Sequence, residues 1–378
     1  MPPSPIAIVT ADTHLRDKTW VDRRGLTGDA YFSFRQLVDA AIDQHLPIIA
    51  AGDLIDRRRN EADVVEFLRV EMSRLNSATC RFYYVQGQHE LQYPVPWLSA
   101  IHPHPTWLDV EHAPGQTFKG GVRLTGLDWR PAEHLRGALE RIPTGTDVLV
   151  LHQVCQEFMG GVTAAEMNFE MVPHARVVVV GDYHVHEHKR AVGAQGQPLL
   201  AVSPGSTSLQ NVGEVPEKFY YVMCDDLSFR SKPLRTRVFF RTDVLETAEQ
   251  LERFVVAVPE LLENLADMAA VRKLPDPLRI PIVEIQYDPE LPDAYRRLVG
   301  AVGDGAHLFL REIVPGPADE VTPDKTARRE AVEQGLVGCL PLVIDPEEQP
   351  EVYAACVRLL RAPDPQQELL LLRAEHGL

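Results

Sequence analysis

Ile48-Ile49-Ala50-Ala51-Gly52-Asp53-Leu54-Ile55-Asp56 reads as a short apolar strand that ends at a glycine and delivers two carboxylates into the loop beyond. Buried parallel strands are brief, uniformly apolar runs bounded by turn residues. In open α/β sheets, chemistry collects at the carboxyl ends of such strands. A single Gly-Asp-x-x-Asp says little, because Asp after Gly is ordinary turn chemistry. Four other strand ends in the same half of the chain, however, carry residues of metal-ligand type.

Upstream, Ile6 to Thr10 is an apolar strand that ends in Asp12-Thr13-His14. A helix is predicted from Tyr31 to Gln44, with Phe34, Leu37, Val38, Ala41 and Ile42 at helical spacing. Downstream, Ala62 to Leu75 is a second helix, and Phe82 to Val85 a strand closed by Gly87-Gln88-His89-Glu90. This alternation implies a mostly parallel layered sheet. Thr106 to Leu127 contains shorter strands with a hairpin turn at Lys119-Gly120-Gly121, and Ala132 to Ile142 is a helix. Asp147 to Leu151 ends at His152. Val177 to Val180, the most β-branched run, ends in Gly181-Asp182-Tyr183-His184.

The 378 residues are enough for two domains, and 45% apolar with 24% charged content is the balance of a soluble globular protein. The N-terminus shows no basic region followed by an apolar run, so no signal peptide is expected. No apolar stretch approaches the roughly 20 residues of a membrane span. Five scattered cysteines without a CxxC argue for a reducing cytoplasm, against a disulfide frame and against a zinc finger. The net charge of −16 disfavours loose nucleic-acid binding. A nucleic-acid role must then be local, through bound metal ions and clusters such as Arg57-Arg58-Arg59 and Arg23-Arg24.

The ordered set is Asp12-x-His14, Gly52-Asp53-x-x-Asp56, Gly87-Gln88-His89-Glu90, His152 and Gly181-Asp182-x-His184. Carboxylates and imidazoles are ligands for Mn, Fe or Zn. Two such ions about 3.5–4 Å apart can clamp a phosphodiester and generate a hydroxide at neutral pH. Asp53, at the central strand, is the candidate to bridge both.

This spacing resembles the calcineurin-like metallophosphoesterases, whose pattern is DxH, GDxxD, GNHD/E, H and GHxH. Five motifs in the same order span roughly residues 6 to 186. The resemblance implies that Asp12, His14 and His184 hold one metal, that Gln88, His152 and Asp182 hold the other, and that Asp53 is shared. It makes His89 a general acid that protonates the leaving oxygen rather than a ligand. Gln88 stands where the family has Asn and Asp182 where it has His, and both departures fall on the second ion. Asp182 adds negative charge there and favours a harder ion such as Mn over Zn. An alternative register, with His184-Val185-His186 as the paired histidines, loses the glycine that should follow the strand.

Ser203-Pro204-Gly205-Ser206-Thr207-Ser208, followed by Glu217-Lys218-Phe219-Tyr220, resembles the segment after the last motif in SbcD-type nucleases. That family implies an α/β layered sandwich of mostly parallel or mixed sheets flanked by helices, then a small α+β capping domain and a helical C-terminal tail. A change of character near Pro233 to Arg241 places the phosphoesterase domain at 1–234 and the capping domain at 235–314. Residues 315–378 are then the linker and tail. Within the small unit, Thr247-Ala248-Glu249-Gln250 fits a capping box, strands are expected at Ile282 to Tyr287 and His307 to Ile313, and a helix near Ala294 to Val302. Helices are expected at Lys325 to Leu336, Val352 to Leu360 and Gln366 to Ala374. The resemblance further implies Mn2+-dependent cleavage of DNA in the cytoplasm, in partnership with an SbcC-type ATPase gripped by the tail; a homodimer and nucleoid association are also expected.

Several residues have duller explanations. Asp12 or Asp182 alone would more often be a cap or turn former, and His152 a satisfied strand-end histidine. His186 and His188 are read as surface residues of an edge strand, His102 and His104 as loop residues, and Trp97 and Tyr93 as core rather than base-stacking groups. Asp56, Arg57 and Arg58 are candidates for substrate phosphate contact, although charge runs are commonly solvated faces. The Leu369 to Leu372 run suggests an interface. Two other functions compete. A phosphatase or cyclic-nucleotide phosphodiesterase suits the acidic charge but needs neither cap nor tail. A non-catalytic scaffold with a decayed second site would not need His89 and Asp53.

Overall fold

A computed structural model describes residues 3–16, 26–56, 62–91, 96–112, 115–159, 165–313 and 354–355. The chain divides into one unit of Met1–Phe158 with Glu166–Pro315 and another of Met159–Ala165 with Gly316–Leu378. Both sheets of the sandwich and the candidate site lie in the first unit. Of the second, Ala354 and Ala355 are helical. The helices expected at Lys325 to Leu336 and Gln366 to Ala374, most of Val352 to Leu360, and the Leu369 to Leu372 run lie outside the described residues.

The chain opens with β1 (Pro5–Thr10), α1 (Asp29–Gln44), β2 (Ile48–Ala51), α2 (Ala62–Ser77), β3 (Phe82–Val85), α3 (Trp97–Ile101) and β4 (Thr106–Trp107). These four strands pair in parallel, in sequence order. A second sheet follows from β5 (Gln116–Thr117), β6 (Arg123–Leu127), α4 (Ala132–Leu139), β7 (Val148–His152), β8 (Val177–Gly181), β9 (Glu187–Val192) and β10 (Pro198–Ser203). Its order is β5-β6-β7-β8-β10-β9, with β6, β7, β8 and β10 parallel and the outermost strands antiparallel. The chain then returns to the first sheet as β11 (Phe219–Cys224), antiparallel to β1, and β12 (Phe229–Pro233). The architecture is therefore a sandwich of two stacked mixed sheets flanked by helices, as the family resemblance implies, where strand–helix alternation alone suggests a single mostly parallel sheet.

Period-two alternation assigns each strand residue to a layer. Ile49 and Ala51, Val148 and Val150, and Val177 and Val179 face inward and pack between the sheets. Ile48, Ala50, Phe82 and Tyr84 face outward against Phe34, Leu37 and Val38 of α1 and Leu68, Met72 and Leu75 of α2. Leu149, Leu151, Val178 and Val180 face the other way, against Leu135 and Leu139 of α4 with Phe169 and Val172. Both faces of each central strand are buried, which is why these strands read as uninterrupted apolar runs. The helix expected over Ala132 to Ile142 is three residues shorter, ending at Leu139.

Beyond β12 lies a separate three-stranded parallel sheet of β13 (Phe239–Arg241), β14 (Ile282–Tyr287) and β15 (His307–Glu312). It is covered by α5 (Ala248–Val271), the short α6 (Asp276–Arg279) and α7 (Ala294–Val302). The capping box of α5 forms: Gln250 N donates to Thr247 Oγ1 and Thr247 N to Gln250 Oε1. Arg237 ties this sheet to the sandwich. It is 1% exposed, grips both carboxylate oxygens of Asp29 at the start of α1 (3.0 and 2.8 Å), and donates to the carbonyls of Thr27, Pro277 and Ile280. Such a bidentate pair is directional as well as strong.

His104 differs from a solvated loop histidine: it is 7% exposed, and its Nε2 meets the Cys80 carbonyl at 2.6 Å. His186 precedes the edge strand and is half-buried, with its ring stacked on Tyr221 at 4.0 Å. His188 lies on edge strand β9, as expected. Trp97 packs into the core, whereas Tyr93 and Arg23-Arg24 lie outside the described residues. No helix among the described residues is long and apolar enough to cross a membrane.

Candidate metal centre

The carboxyl ends of β1, β2 and β3 in one sheet, and of β7 and β8 in the other, point to a common end of the sandwich. Asp12, His14, Asp53, Gln88, His89, His152, Asp182 and His184 come together there. Asp12, His14 and His184 offer ligand atoms within 4.8 Å of one another, as do Asp12, Asp53 and His152, and His14, Asp53 and His89. Asp12, His14 and Asp53 each belong to two of these groups. An open cleft of about 370 Å³ above them is lined by His14, Arg16, Asp56, His89, Gln210 and their neighbours.

The backbone is bent to achieve this. Asp12 (φ 49°), His14 (φ 42°), Asp53 (φ 48°) and Asp182 (φ 77°) are all left-handed, four of the ten described non-glycine residues with positive φ. Residues held in that region cost of order 1–3 kcal/mol each and cluster at functional sites. The approach is also close: a Cβ on Gly87 would fall 2.0 Å from Asp53 Oδ1. Only a glycine leaves room there.

Hydrogen bonds settle which imidazole nitrogens face the centre. His152 Nδ1 lies 2.7 Å from the Ala51 carbonyl, which can only accept, so Nε2 is directed at Asp53 Oδ2, 3.3 Å away. His184 Nδ1 donates to Glu214 Oε1 (2.8 Å), leaving Nε2 to face His14 Nε2 at 3.1 Å. Two nitrogens each roughly 2.1 Å from one ion would be about 3 Å apart. His89 is turned differently: Nδ1 donates to the Asp56 carbonyl (2.6 Å), its backbone N–H donates to Asp53 Oδ1, and Nε2 is 3.7 Å from Asp53 Oδ2. With 39% of its side chain exposed, it is the histidine of the set that reaches solvent most.

The electrostatics reflect crowding. Burial lifts the Asp12 carboxyl to about 6 and pushes His14 down to about 3. Burial would raise Asp53 too, but His152 beside it, with His14 and His89, outweighs this and holds it below the usual carboxylate range. His152 is shifted upward: burial opposes its charge, and Asp53, Asp12 and Asp182 more than offset that.

The donor set tests well against divalent ions. Asp12 Oδ2, Asp53 Oδ2, Gln88 Oε1, His14 Nδ1 and His152 Nε2 are all buried without a hydrogen-bond partner. Buried polar atoms are nearly always satisfied, and each orphan costs free energy. The four from Asp12, Asp53, Gln88 and His152 lie together and call for cations, whereas His14 Nδ1 is on the Asp56 side of its ring, 3.7 Å from Asp56 Oδ1.

Three residues missed in the sequence shape the site. Glu90 accepts from Leu54 N (2.8 Å), Ile55 N (3.3 Å) and Gly87 N (3.0 Å), clamping the β2 loop to the β3 loop. It is the acidic end of the GQHE motif, and that signal was available. Arg16 bonds Asp56 Oδ1 and Gln210 Oε1, both at 2.9 Å, on the cleft wall. Glu214 supports His184; its four-residue spacing to Lys218 looks in sequence like a surface ion pair. Asp56 lies in the cleft wall, whereas Arg57 and Arg58 lie outside the described residues.

No family model matches the chain. It is 25% identical over 279 residues to a DNA double-strand break repair protein Mre11 of Methanosarcina acetivorans, a match covering 68% of this chain and 44% of that protein. It is 26% identical over 277 residues to the Methanosarcina mazei protein of the same description, covering 68% and 43%. A third, from Sulfurisphaera tokodaii, is 28% identical over 221 residues, covering 54% of each. The chain thus spans about half the length of the curated relatives it matches. The resemblance to SbcD-type DNA repair nucleases, expected from the motifs together with the Ser203–Ser208 segment and the cap, agrees with the DNA double-strand break repair description of these relatives.

Proposed function

We propose that the chain is a nuclease that hydrolyses phosphodiester bonds of DNA with two divalent ions, as the nuclease subunit of an SbcC–SbcD-like repair complex. The observation that carries this reading is the convergence of ligand-type side chains from five strand ends, four of which bring buried atoms without a partner, in the order of the phosphoesterase motifs. Asp12, His14 and His184 would hold one ion, Gln88, His152 and Asp182 the other, with Asp53 shared. When bound, such ions supply a nucleophile at neutral pH and offset the phosphate charge. The three carboxylates, with one amide among the donors, favour a hard ion, and Mn2+ is the one proposed.

The chain's own residues supply the rest. Asp53 stays ionised between the two groups of ligands. His89, steadied by the Asp56 carbonyl on Nδ1, would hold the transferable proton on Nε2 and give it to the departing sugar oxygen. Arg16, fixed by Asp56 and Gln210, brings a guanidinium to the cleft wall where a flanking phosphate would pass. Exonucleolytic cleavage, a capping role for 235–314, an ATPase partner on the 315–378 tail, a homodimer and a cytoplasmic, nucleoid-associated location complete the proposal.

The test is hydrolysis of end-labelled duplex and single-stranded DNA with Mn2+, Mg2+ or Zn2+, beside a generic phosphodiester. Manganese-dependent shortening of DNA from its ends supports the reading. Ester hydrolysis without DNA cleavage moves the function to a small-substrate phosphoesterase, which the net charge of −16 favours. Bound metal with neither activity, including in the presence of an SbcC-type ATPase, points to a scaffold.

A further inference from the structure

Behind His184 lies a buried ionic knot that the five motifs do not include. Glu214 Oε1 accepts from His184 Nδ1 at 2.8 Å. Its other oxygen accepts from Lys218 Nζ (2.7 Å), Ser206 Oγ (3.1 Å) and Gln210 N (3.1 Å). Lys218 is only 4% exposed and spends a second donor on Ser206 Oγ at 2.8 Å. Every one of these groups sits on the segment between β10 and β11, which closes over the end of the sandwich.

A buried ion pair is weak support for a fold, because desolvating both charges offsets most of their attraction. A loop that needed only closing would be served as well by apolar packing. What apolar packing cannot do is accept a proton-bearing nitrogen. A carboxylate only accepts, so Glu214 fixes the proton of His184 on Nδ1 and keeps the Nε2 lone pair aimed at Asp12 and His14. Lys218, Ser206 and the Gln210 amide hold that carboxylate from behind.

We infer that Glu214, anchored by Lys218, is a positioning residue that sets the affinity of the ion held by Asp12, His14 and His184. The inference rests on the proposed reading of this cluster as a metal centre. Supporting carboxylates behind ligating histidines fix tautomer and ring orientation, and their removal typically costs about 10–100-fold in affinity. Glu214→Ala should therefore weaken one of two sites by that factor and leave the other unchanged. Glu214→Gln keeps an oxygen that can accept from Nδ1 and should recover part of the loss.

The experiment is Mn2+ titration of the full chain by calorimetry, with Co2+ absorption reporting ligand geometry and thermal unfolding of the metal-free proteins as a folding control. Selective loss at one site with an altered Co2+ spectrum, partly rescued in Glu214→Gln, supports the inference. Two sites of unchanged affinity in a folded Glu214→Ala protein overturn it while leaving the metal-centre reading intact. Where the alanine variant does not fold, the glutamine variant decides, and equal affinity with an unchanged spectrum there overturns it. A wild-type protein that takes up no metal overturns both.

Discussion

Gln88 Nε2 donates to Asp182 Oδ1 at 2.7 Å, across 94 positions of sequence. The two residues that depart from the phosphoesterase pattern are therefore in contact. Because a carboxylate must meet the amide's N–H side, Gln88 Oε1 is turned away from it and remains buried without a partner. The longer amide and the shorter, charged side chain compensate for each other. Changing either alone should be worse than changing both. Asp182→Ala is expected to weaken one ion by at least the roughly 10–100-fold seen when ligand support is lost. The double change Gln88→Asn with Asp182→His should raise the preference for Zn2+ over Mn2+. Competition titrations of the two ions against wild type, Asp182→Ala, the double variant and its two single changes measure these effects.

His89 differs from the other histidines of the centre in being the most exposed, with Nδ1 held by the Asp56 carbonyl and Nε2 3.7 Å from Asp53 Oδ2. His89→Ala should cut turnover by ~10²–10⁴, the usual share of a general acid, with metal affinity unchanged. Single-turnover rates beside a Mn2+ titration test this. Loss of an ion in the variant would make His89 a ligand and remove its proposed role.

Gly87→Ala places a methyl group 2.0 Å from Asp53 Oδ1 and 2.7 Å from His152 Nε2. Neither neighbour can yield, since Asp53 is anchored by the His89 amide and His152 by the Ala51 carbonyl. Overpacking of this kind costs about 1–3 kcal/mol, so the metal-free variant should unfold at lower denaturant and bind Mn2+ poorly. Unchanged midpoint and affinity would mean the loops are softer than their contacts imply.

Away from the site, Asp128 is 1% exposed, and burial, helped by Asp109, raises its carboxyl from 3.8 to about 6. A raised carboxyl binds its proton more tightly folded than unfolded. Its contribution is therefore full below pH 3.8 and disappears as pH rises through about 6. Relative to Asp128→Asn, wild type should gain on the order of 2–3 kcal/mol between pH 7 and pH 4. Urea unfolding of both proteins with a chelator present, so that metal loss does not contribute, measures the difference.

Much of the centre is legible in sequence because its chemistry is tied to strand ends. A carboxylate or imidazole just past a short apolar run can be placed at a sheet edge without knowing the sheet. The division into two sheets is not legible this way. The pairing of β1 with β11 joins residues more than 200 positions apart, and the inner and outer faces of β2 and β7 are equally apolar. Support residues are the least visible class. Glu90 ends a motif and could have been assigned; Glu214 and Lys218 look solvated until the fold buries them. The contact between Gln88 and Asp182 turns two separate departures into one adjustment, which no local reading could reveal.

The seam between the two sheets has a last consequence. Asp12, Asp53 and Gln88 ride on one sheet, His152, Asp182 and His184 on the other or just beyond it, and the first sheet is completed only when β11 and β12 return. A nascent fragment that has just acquired the last donor, His184, still lacks β11 and β12, so the sheet that carries Asp12 and Asp53 is not yet complete. If the proposed nuclease function holds, the act of folding is itself a safety catch, because the centre forms only after β11 has paired with β1.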